Sequence, residues 1–140
     1  MADVFFRTSR RIEFVDTDMA GIVHFSNFFR LMESAEVEFL RTRGLSVSMA
    51  WENQRFGFPR VSASCDFMQP VGFQDVVEIS VSVERVGEKS VTYGFEFTKD
   101  GTAIAAGRIV ACCCRILPDR RIEPAAIPQG IRDILQGTSG

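Results

Sequence analysis

One short segment, Asp16 to Phe28, contains the residue types best suited to chemistry. It places two carboxylates, Asp16 and Asp18, and the chain's only histidine, His24, directly ahead of an amphipathic stretch. A helix that begins there presents free backbone N–H groups and a partial positive charge of roughly +0.5 e. A carboxylate beside such an end can attack or activate a bound group while the helix end stabilises a developing negative oxygen. This segment is therefore the first candidate for an active site.

The position of Asp18 leaves two interpretations open. An aspartate in such a loop commonly serves as a turn or helix-capping acid. Asp18 lies seven residues before the predicted helix, which is early for a cap, and the following Ala20-Gly21 lets backbone approach a ligand closely. Asp16 is interpreted as structural, through side-chain to backbone hydrogen bonds. His24 could be a general base, but we interpret it as a pocket wall.

A long helix is predicted from Phe25 to Arg43, and Gly44 is expected to end it. The prediction rests on apolar residues that share one helical face: Phe28, Leu31, Met32, Ala35 and Phe39. Glu33 and Glu36 are interpreted as part of the solvated face of this helix. The segment Leu45 to Phe56 is expected to add a short second helix.

The remaining elements are predicted to be mainly strands. A first strand is expected over Val4–Val15, with Phe6, Ile12 and Phe14 on one face. After Pro59, apolar and polar residues alternate with a period of two, which is typical of half-buried strands. These strands cover Val61–Phe67, Val77–Glu84, Val91–Thr98 and, with apolar residues on both faces, Thr102–Leu117; Gly87 and Asp100-Gly101 mark turns, Pro128–Leu135 a short helix, and Gly137–Gly140 a frayed end.

This order of elements predicts one α+β domain in which a long helix covers one face of a five-stranded antiparallel sheet. The other sheet face and any edge strand still need cover or charge. Pairing with a second copy of the chain meets that need, so a homo-oligomer is expected.

Composition and missing motifs exclude several classes of protein. A net charge of −2 argues against general nucleic-acid binding, and no apolar run reaches the roughly 20 residues needed to span a bilayer. The polar stretch from Arg7 to Arg11 stands where a signal peptide would be apolar, so a cytoplasmic protein is expected. No nucleophile elbow, phosphate loop or dinucleotide fingerprint is present. The consecutive Cys112–Cys114 point to alternate faces of a strand, so no metal site is expected.

The segment from Phe14 to Val23 resembles the 4-hydroxybenzoyl-CoA thioesterase family of hotdog-fold proteins. The resemblance rests on the Asp-x-Ala-Gly-Ile-Val core, on an Asn-aromatic pair shortly after it, and on Phe73-Gln74-Asp75 and Lys89-Ser90 downstream. It implies a hotdog fold, in which a five-stranded antiparallel sheet wraps the long helix. The single domain would span residues 1–140, with a core of about residues 4–135.

The resemblance also implies an activity and a site. The protein would hydrolyse an acyl- or aroyl-CoA thioester, with Asp18 as nucleophile or general base and the backbone N–H of Phe25 polarising the thioester carbonyl. His24, Ser64, Lys89 and Ser90 would contact the substrate. No metal and no cofactor would be needed, since CoA is part of the substrate. Active sites would lie at the interface of a homodimer, which can pair into a homotetramer.

Two other functions compete with hydrolysis. A non-catalytic acyl-CoA-binding hotdog module is the main alternative, although a mere binder has no need of Asp18 beside the helix end. A hotdog dehydratase would need a differently placed histidine than His24. The sequence leaves the acyl group open among aryl, short-chain and long-chain acids.

Overall fold

The computed structural model describes residues 5–137. These residues form two antiparallel sheets and two α-helices. Val4, the predicted start of the first strand and of the core, lies outside the described residues, as do residues 138–140 of the predicted frayed end. In chain order the elements are β1 (Phe5–Arg11), α1 (Phe25–Thr42), β2 (Ser48–Trp51), β3 (Gln54–Gly57), β4 (Arg60–Phe67), β5 (Val76–Val86), β6 (Ser90–Lys99), β7 (Thr102–Cys112), β8 (Cys114–Ile116), β9 (Ile122–Pro124) and α2 (Gln129–Leu135).

The larger sheet has five antiparallel strands in the order β1-β5-β6-β7-β4, which confirms the predicted sheet and its pairing with one long helix. Side chains alternate between a buried and a more exposed face, most clearly along β5 and β6. The β6–β7 hairpin turns at Asp100 and Gly101, whose φ angles of 50° and 81° match a tight two-residue turn. The sheet leaves β1 and β4 as its two edges.

Helix α1 packs across the inner face of this sheet. Its first turns contact the sheet through Phe28, whose ring lies 5.2 Å from that of Phe97, and its last turns through Phe39, 6.3 Å from Tyr93. Met32 fits directly over Gly107, where any Cβ would collide with the Met32 sulfur. The buried residues of α1 are Phe28, Leu31, Met32, Ala35, Glu36, Phe39 and Leu40. The predicted helix face is confirmed, but the inclusion of Glu36 shows that its assignment to a solvated face was wrong.

The first strand is shorter than predicted. It ends at Arg11, and the Ile12 N–H donates instead to the Asp75 carbonyl, at 2.8 Å. Residues Phe14–Asp16 then form one turn of 3₁₀ helix. Phe14 is 77% exposed and does not share a buried face with Ile12.

The predicted short helix at Leu45–Phe56 is wrong, because this segment forms the β2–β3 hairpin of a second, four-stranded sheet. Glu52 and Asn53 turn the hairpin with φ angles of 51° and 65°. Asparagine tolerates this left-handed conformation better than most residues. The alternation of Val47, Met49 and Trp51 with small polar or Ala residues is the strand signal in this segment.

The predicted last strand, Thr102–Leu117, is interrupted at Cys113 and becomes β7 and β8. The Cys113 N–H donates to the Lys89 carbonyl at 2.6 Å, while the Cys113 carbonyl accepts from Ala125 at 2.9 Å. The chain therefore passes from the five-stranded sheet into the order β2-β3-β8-β9 of the second sheet.

The C-terminal helix agrees with its prediction to within one residue at its start. Helix α2 buries Ile131 and Leu135, and its Arg132 donates to the Gly87 carbonyl at 2.8 Å. Within the described part of the chain, neither α1 nor α2 is long and apolar enough to cross a membrane.

Candidate active site

Asp18 lies on a closed loop between β1 and α1. The loop begins and ends with the bridge between Thr17 and Val23. Inside it, the Asp18 N–H donates to the Ile22 carbonyl and the Gly21 N–H donates to the Asp18 carbonyl, both at 2.9 Å. Gly21 has a φ of 83°, a left-handed conformation that favours glycine at this tight point. These bonds fix the backbone of Asp18 within a small loop, which the Ile22–Gly72 bridge joins to the segment after β4.

The Asp18 side chain is half-buried and makes one local hydrogen bond. Its Oδ1 accepts from the Ala20 N–H at 2.8 Å, which is the bond of an Asx-type turn. It does not cap α1, because His24 holds the cap position. The turn role predicted for such an aspartate is thus present, and the helix-capping role belongs to another residue.

The start of α1 offers a backbone donor. The His24 Nδ1 accepts from the Ser26 N–H at 3.3 Å, and the His24 carbonyl accepts from the Asn27 N–H at 2.8 Å. The first N–H groups of a helix have no partner within the helix. Among the residues that the structure describes, the N–H of Phe25 has no protein acceptor. It is therefore the donor available to a ligand at the positive end of the helix.

A cleft of about 440 Å³ brings Asp18 and Phe25 together. Its walls are the end of β4 with the residues that follow it, the Asp18 loop and the first turns of α1. The Phe67 ring lies 5.3 Å from Phe28 and 6.3 Å from Phe25. The lining residues are Asp18, Ile22, Val23, Phe25, Phe28, Phe67, Met68, Gln69, Pro70 and Val71. Asp18 is the only charged side chain among them, in a space of the size that small-molecule sites occupy.

His24 lies beside this cleft and contributes in a different way. Its ring stacks on that of Phe25 with centroids 4.8 Å apart, and its Nδ1 lies 2.8 Å from the Ser26 hydroxyl. The side chain is exposed and holds the helix start, and it is not among the cleft-lining residues. Its role as a substrate contact remains a prediction.

The fold of one chain does not bring Ser64, Lys89 or Ser90 to the cleft. Ser64 lies on β4 and borders a groove with Arg108 on the sheet face away from α1. Lys89 and Ser90 lie where β6 begins, whereas the cleft lies beside Phe97 near its other end. Seven residues of strand separate Ser90 from Phe97, which corresponds to about 23 Å.

Comparison with known proteins identifies the family. The sequence model of the thioesterase-like superfamily matches residues 12–135. The chain belongs to the thioesterase-like superfamily. Together with the long helix and the antiparallel sheet described above, this membership makes it a hotdog-fold thioester hydrolase.

Individual relatives agree with this assignment. The 1,4-dihydroxy-2-naphthoyl-CoA hydrolase of Nostoc punctiforme is 30% identical over 71% of this chain and 68% of its own length. The solved structure of the gentisyl-coenzyme A thioesterase BH1999 is 31% identical, with a TM-score of 0.79 over 93% of this chain and 99% of that one. A hypothetical protein from Aquifex aeolicus, AQ1494, is 27% identical, with a TM-score of 0.81 over 93% and 98% of the two chains.

Among the residues that the structure describes, no activated cysteine lies near the cleft of the thioesterase. Cys65 lies on β4 two residues before Phe67, and burial together with the charge of Asp66 raises the pKa of its thiol to about 11. Burial likewise raises the pKa of Cys113 to about 11. Such thiols are protonated and weakly nucleophilic at neutral pH. Within residues 5–137, no group of three His, Cys, Asp or Glu side chains is arranged to hold a metal ion.

Two parts of the site were not predicted from the sequence of the thioesterase. In the wall formed by Phe67 and Met68, Phe67 was assigned only to the end of a strand and Met68 to no element; two exposed apolar residues just before Gln69-Pro70 are the signal for this wall. Arg30 was not assigned a role, yet it pairs with Asp16 at the base of the Asp18 loop. Because Arg30 and Asp16 lie 14 residues apart, their contact follows from the fold of the loop rather than from local spacing.

Proposed function

We propose that this thioesterase hydrolyses a CoA thioester of an aromatic carboxylic acid at the cleft that contains Asp18. The observation that carries the proposal is that a carboxylate and a free helix N–H line one apolar cleft. The N–H of Phe25 would donate a hydrogen bond to the carbonyl oxygen as negative charge develops on it. Removing one such donor lowers the rate by about 10²–10³ in other enzymes.

Asp18 has two chemically balanced routes. As a nucleophile, its carboxylate attacks the carbonyl carbon, the C–S bond breaks and CoA leaves as a thiolate, giving a mixed anhydride that water hydrolyses to the free acid and the restored carboxylate. As a general base, Asp18 takes a proton from the water that attacks the same carbon; the C–S bond then breaks, CoA leaves as a thiolate, and the proton passes from Asp18 to the thiolate or to solvent. Neither route needs a metal or a cofactor besides the CoA of the substrate.

The cleft walls support an aromatic acyl group. Phe25 and Phe67 are 60% and 48% exposed, and their rings meet edge to face at 6.3 Å. Exposed aromatic rings at this geometry can pack against a further ring, and such pairs add about 0.5–1.5 kcal/mol beyond the area they bury. The relatives named for naphthoyl-CoA and gentisyl-CoA substrates support the same substrate class.

We further propose that the working form is a homodimer, or a dimer of dimers, joined through β4, and that it resides in the cytoplasm. Antiparallel pairing of two β4 edges would place Arg60 of one copy beside Phe67 of the other. Because Arg60 and Ser90 lie at the same end of the sheet, this pairing would bring the Lys89-Ser90 end of the second copy toward the cleft. It would also close a cleft that is open in a single chain.

The test is thiol release from a panel of acyl-CoAs by the wild-type protein and by Asp18→Asn. We expect benzoyl-type CoA thioesters to be hydrolysed with at least about tenfold higher kcat/KM than acetyl-CoA or palmitoyl-CoA, a difference within the range that apolar pockets achieve. We expect Asp18→Asn to lower kcat by about 10³-fold or more, because it removes the reacting group. Phe67→Ala should reduce the aromatic preference, whereas Phe73→Ala, an exposed ring outside the cleft, should not.

The outcomes separate the competing functions. Unchanged kcat in Asp18→Asn would refute the site assignment. If no acyl-CoA is hydrolysed but calorimetry detects acyl-CoA binding, the chain is a binding module. A pre-steady-state burst of free CoA ahead of free acid, with an acyl group found on Asp18 by mass spectrometry, supports the nucleophilic route; simultaneous release without the adduct supports the general-base route.

A further inference from the structure

We propose that Arg30 is a positioning residue that holds the Asp18 carboxylate in register with the N–H of Phe25, acting through Asp16. This inference rests on the proposed function for its kinetic consequence. Its geometric basis is a set of contacts that join the segment after β1, the Asp18 loop and α1 at one buried residue, Asp16.

Asp16 is the point where these three segments meet. It is 2% exposed, and its Oδ2 accepts from the Glu13 N–H at 2.8 Å, beyond the end of β1. Its backbone carbonyl accepts from the His24 N–H at 2.9 Å and from the Asn27 amide at 2.8 Å, both at the start of α1. Its Oδ1 accepts from the guanidinium of Arg30, in the second turn of α1. The predicted structural role of Asp16 agrees with this geometry.

The Asp18 carboxylate and the Phe25 N–H are joined to Asp16 and to its partner His24 by very short lengths of chain. Asp18 follows Asp16 by two residues, and Phe25 follows His24 by one. The intervening loop is closed by the Thr17–Val23 bridge and is also held to the segment after β4 by the Ile22–Gly72 bridge. The Asp16–His24 contact fixes its position on the α1 side. A shift of Asp16 relative to α1 therefore changes the separation between the Asp18 carboxylate and the Phe25 N–H.

Arg30 is the cation that pairs with Asp16. The Asp16 side chain is 3% exposed, whereas that of Arg30 is 55% exposed. Without the guanidinium, one oxygen of a buried charged carboxylate loses its donor, and solvent reaches it only if the loop moves outward. Loss of the Arg30 contact is therefore expected to displace the loop that carries Asp18.

Arg10, which lies on β1 and contacts α1, provides a control for Arg30. Its guanidinium pairs with Glu38 at 2.8 Å and donates to the Ser34 hydroxyl at 2.9 Å, so it also joins β1 to α1. None of the contacts it makes within residues 5–137 involves the Asp18 loop. A variant of Arg10 therefore removes an ion pair between β1 and α1, to an acid that is 35% exposed, without touching the base of the loop.

The experiment compares Arg30→Gln, Arg30→Lys and Arg10→Gln in the full chain. We expect Arg30→Gln to lower kcat by about 10- to 100-fold with KM within about threefold, since misplacement of a reacting group by about 1 Å can cost 10²-fold. Arg30→Lys keeps the charge and should recover part of the loss. Arg10→Gln should leave kcat within about twofold.

Amide hydrogen exchange gives a readout that does not depend on activity. In Arg30→Gln, the amides of Gly21, Val23 and His24 should exchange at least about tenfold faster, while those of β5 and β6 should not change. Unchanged exchange in the loop, or a kcat equal to that of Arg10→Gln, would overturn the positioning role. If the wild-type protein hydrolyses no acyl-CoA, the proposed function fails, and the exchange result alone decides whether Arg30 holds the loop.

Discussion

At the scale of single residues, Gly72 sets how closely two chain segments approach behind the cleft. A Cβ at Gly72 would lie 2.9 Å from the Gly21 carbonyl oxygen, closer than real Cβ atoms come to other heavy atoms. Gly21 belongs to the Asp18 loop, and its neighbour Ile22 forms a bridge to Gly72. Any side chain at Gly72 must therefore push the loop away.

We expect Gly72→Ala to lower both stability and activity. The collision should cost about 1–3 kcal/mol of the free energy of unfolding, as overpacking usually does, and should lower kcat because the Asp18 loop shifts. Gly101→Ala is the control: Gly101 has a φ of 81° and nothing within 4 Å of its Cβ position, so only backbone strain of about 1–2 kcal/mol is expected.

Urea unfolding and thiol-release kinetics on both variants make the comparison. A kcat that falls equally in Gly72→Ala and Gly101→Ala would show that general destabilisation, rather than displacement of the loop, is responsible.

At the scale of elements, α1 carries a buried carboxylate that ties it to the edge strand β4. Glu36 is completely buried, and its Oε1 accepts from Arg60 at 2.7 and 3.1 Å. Its Oε2 has no hydrogen-bond partner among the described residues. Burial raises the pKa of Glu36 above its ordinary value, and the hydrogen bond and charge of Arg60 offset only part of that rise.

This shift predicts a pH dependence of stability. The folded state holds the Glu36 proton more tightly than the unfolded chain does. The stability that Glu36 contributes to the folded state is therefore fully present below pH 4.5 and is lost as pH rises through the raised pKa. A glutamine side chain does not titrate, so the Glu36→Gln variant lacks this pH dependence. The difference between the free energy of unfolding of the variant and that of the wild type should therefore increase with pH above about 4.5.

The matched control for this prediction is Glu33→Gln, an exposed acid 3.7 Å from the same arginine. Denaturant titrations at several pH values measure the difference. Identical pH slopes for wild type and Glu36→Gln would contradict the prediction.

Most elements with a clear local pattern were predicted well, the β2–β3 hairpin being the exception, whereas individual side-chain contacts between distant residues were not predicted. The α1 helix, Gly44 after its end and the Asp100-Gly101 turn each follow from residues within a few positions of one another. The burial of Glu36 depends on Arg60, 24 residues away, and the cleft wall at Phe67 depends on how β4 meets α1. Such contacts leave no periodic signal in the sequence.

At the scale of the whole molecule, the two edges of the large sheet differ in character. β1 carries Arg7, Arg10 and Arg11, and charged side chains discourage edge-to-edge pairing. β4 is mostly exposed and carries no cation from Val61 to Phe67; Val61 is 64% exposed. This contrast favours β4 as the edge that meets a second copy.

We expect the protein to sediment as a dimer or larger, and Val61→Lys to shift it toward monomer. Ile122→Lys, the same change at an apolar side chain 56% exposed on β9, should not alter the assembly. Because the second copy is proposed to close the cleft, kcat/KM should fall with the loss of dimer in Val61→Lys alone. Analytical ultracentrifugation and kinetics at matched concentrations test both points, and a wild-type monomer with full activity would contradict them.

The cleft draws its wall and its carboxylate from separate stretches of chain. Phe67 ends β4 and residues 68–71 follow it, whereas Asp18 lies on the loop before α1. The two stretches touch through backbone bonds such as that from the Val23 N–H to the Val71 carbonyl. Because these bonds join backbone atoms, side chains in the stretch from Phe67 to Val71 can be exchanged without removing the bonds that hold the Asp18 loop. If the cleft is the active site as proposed, libraries randomised at Phe67 and Met68 offer a route to new acyl preferences that leaves Asp18 and its loop unchanged.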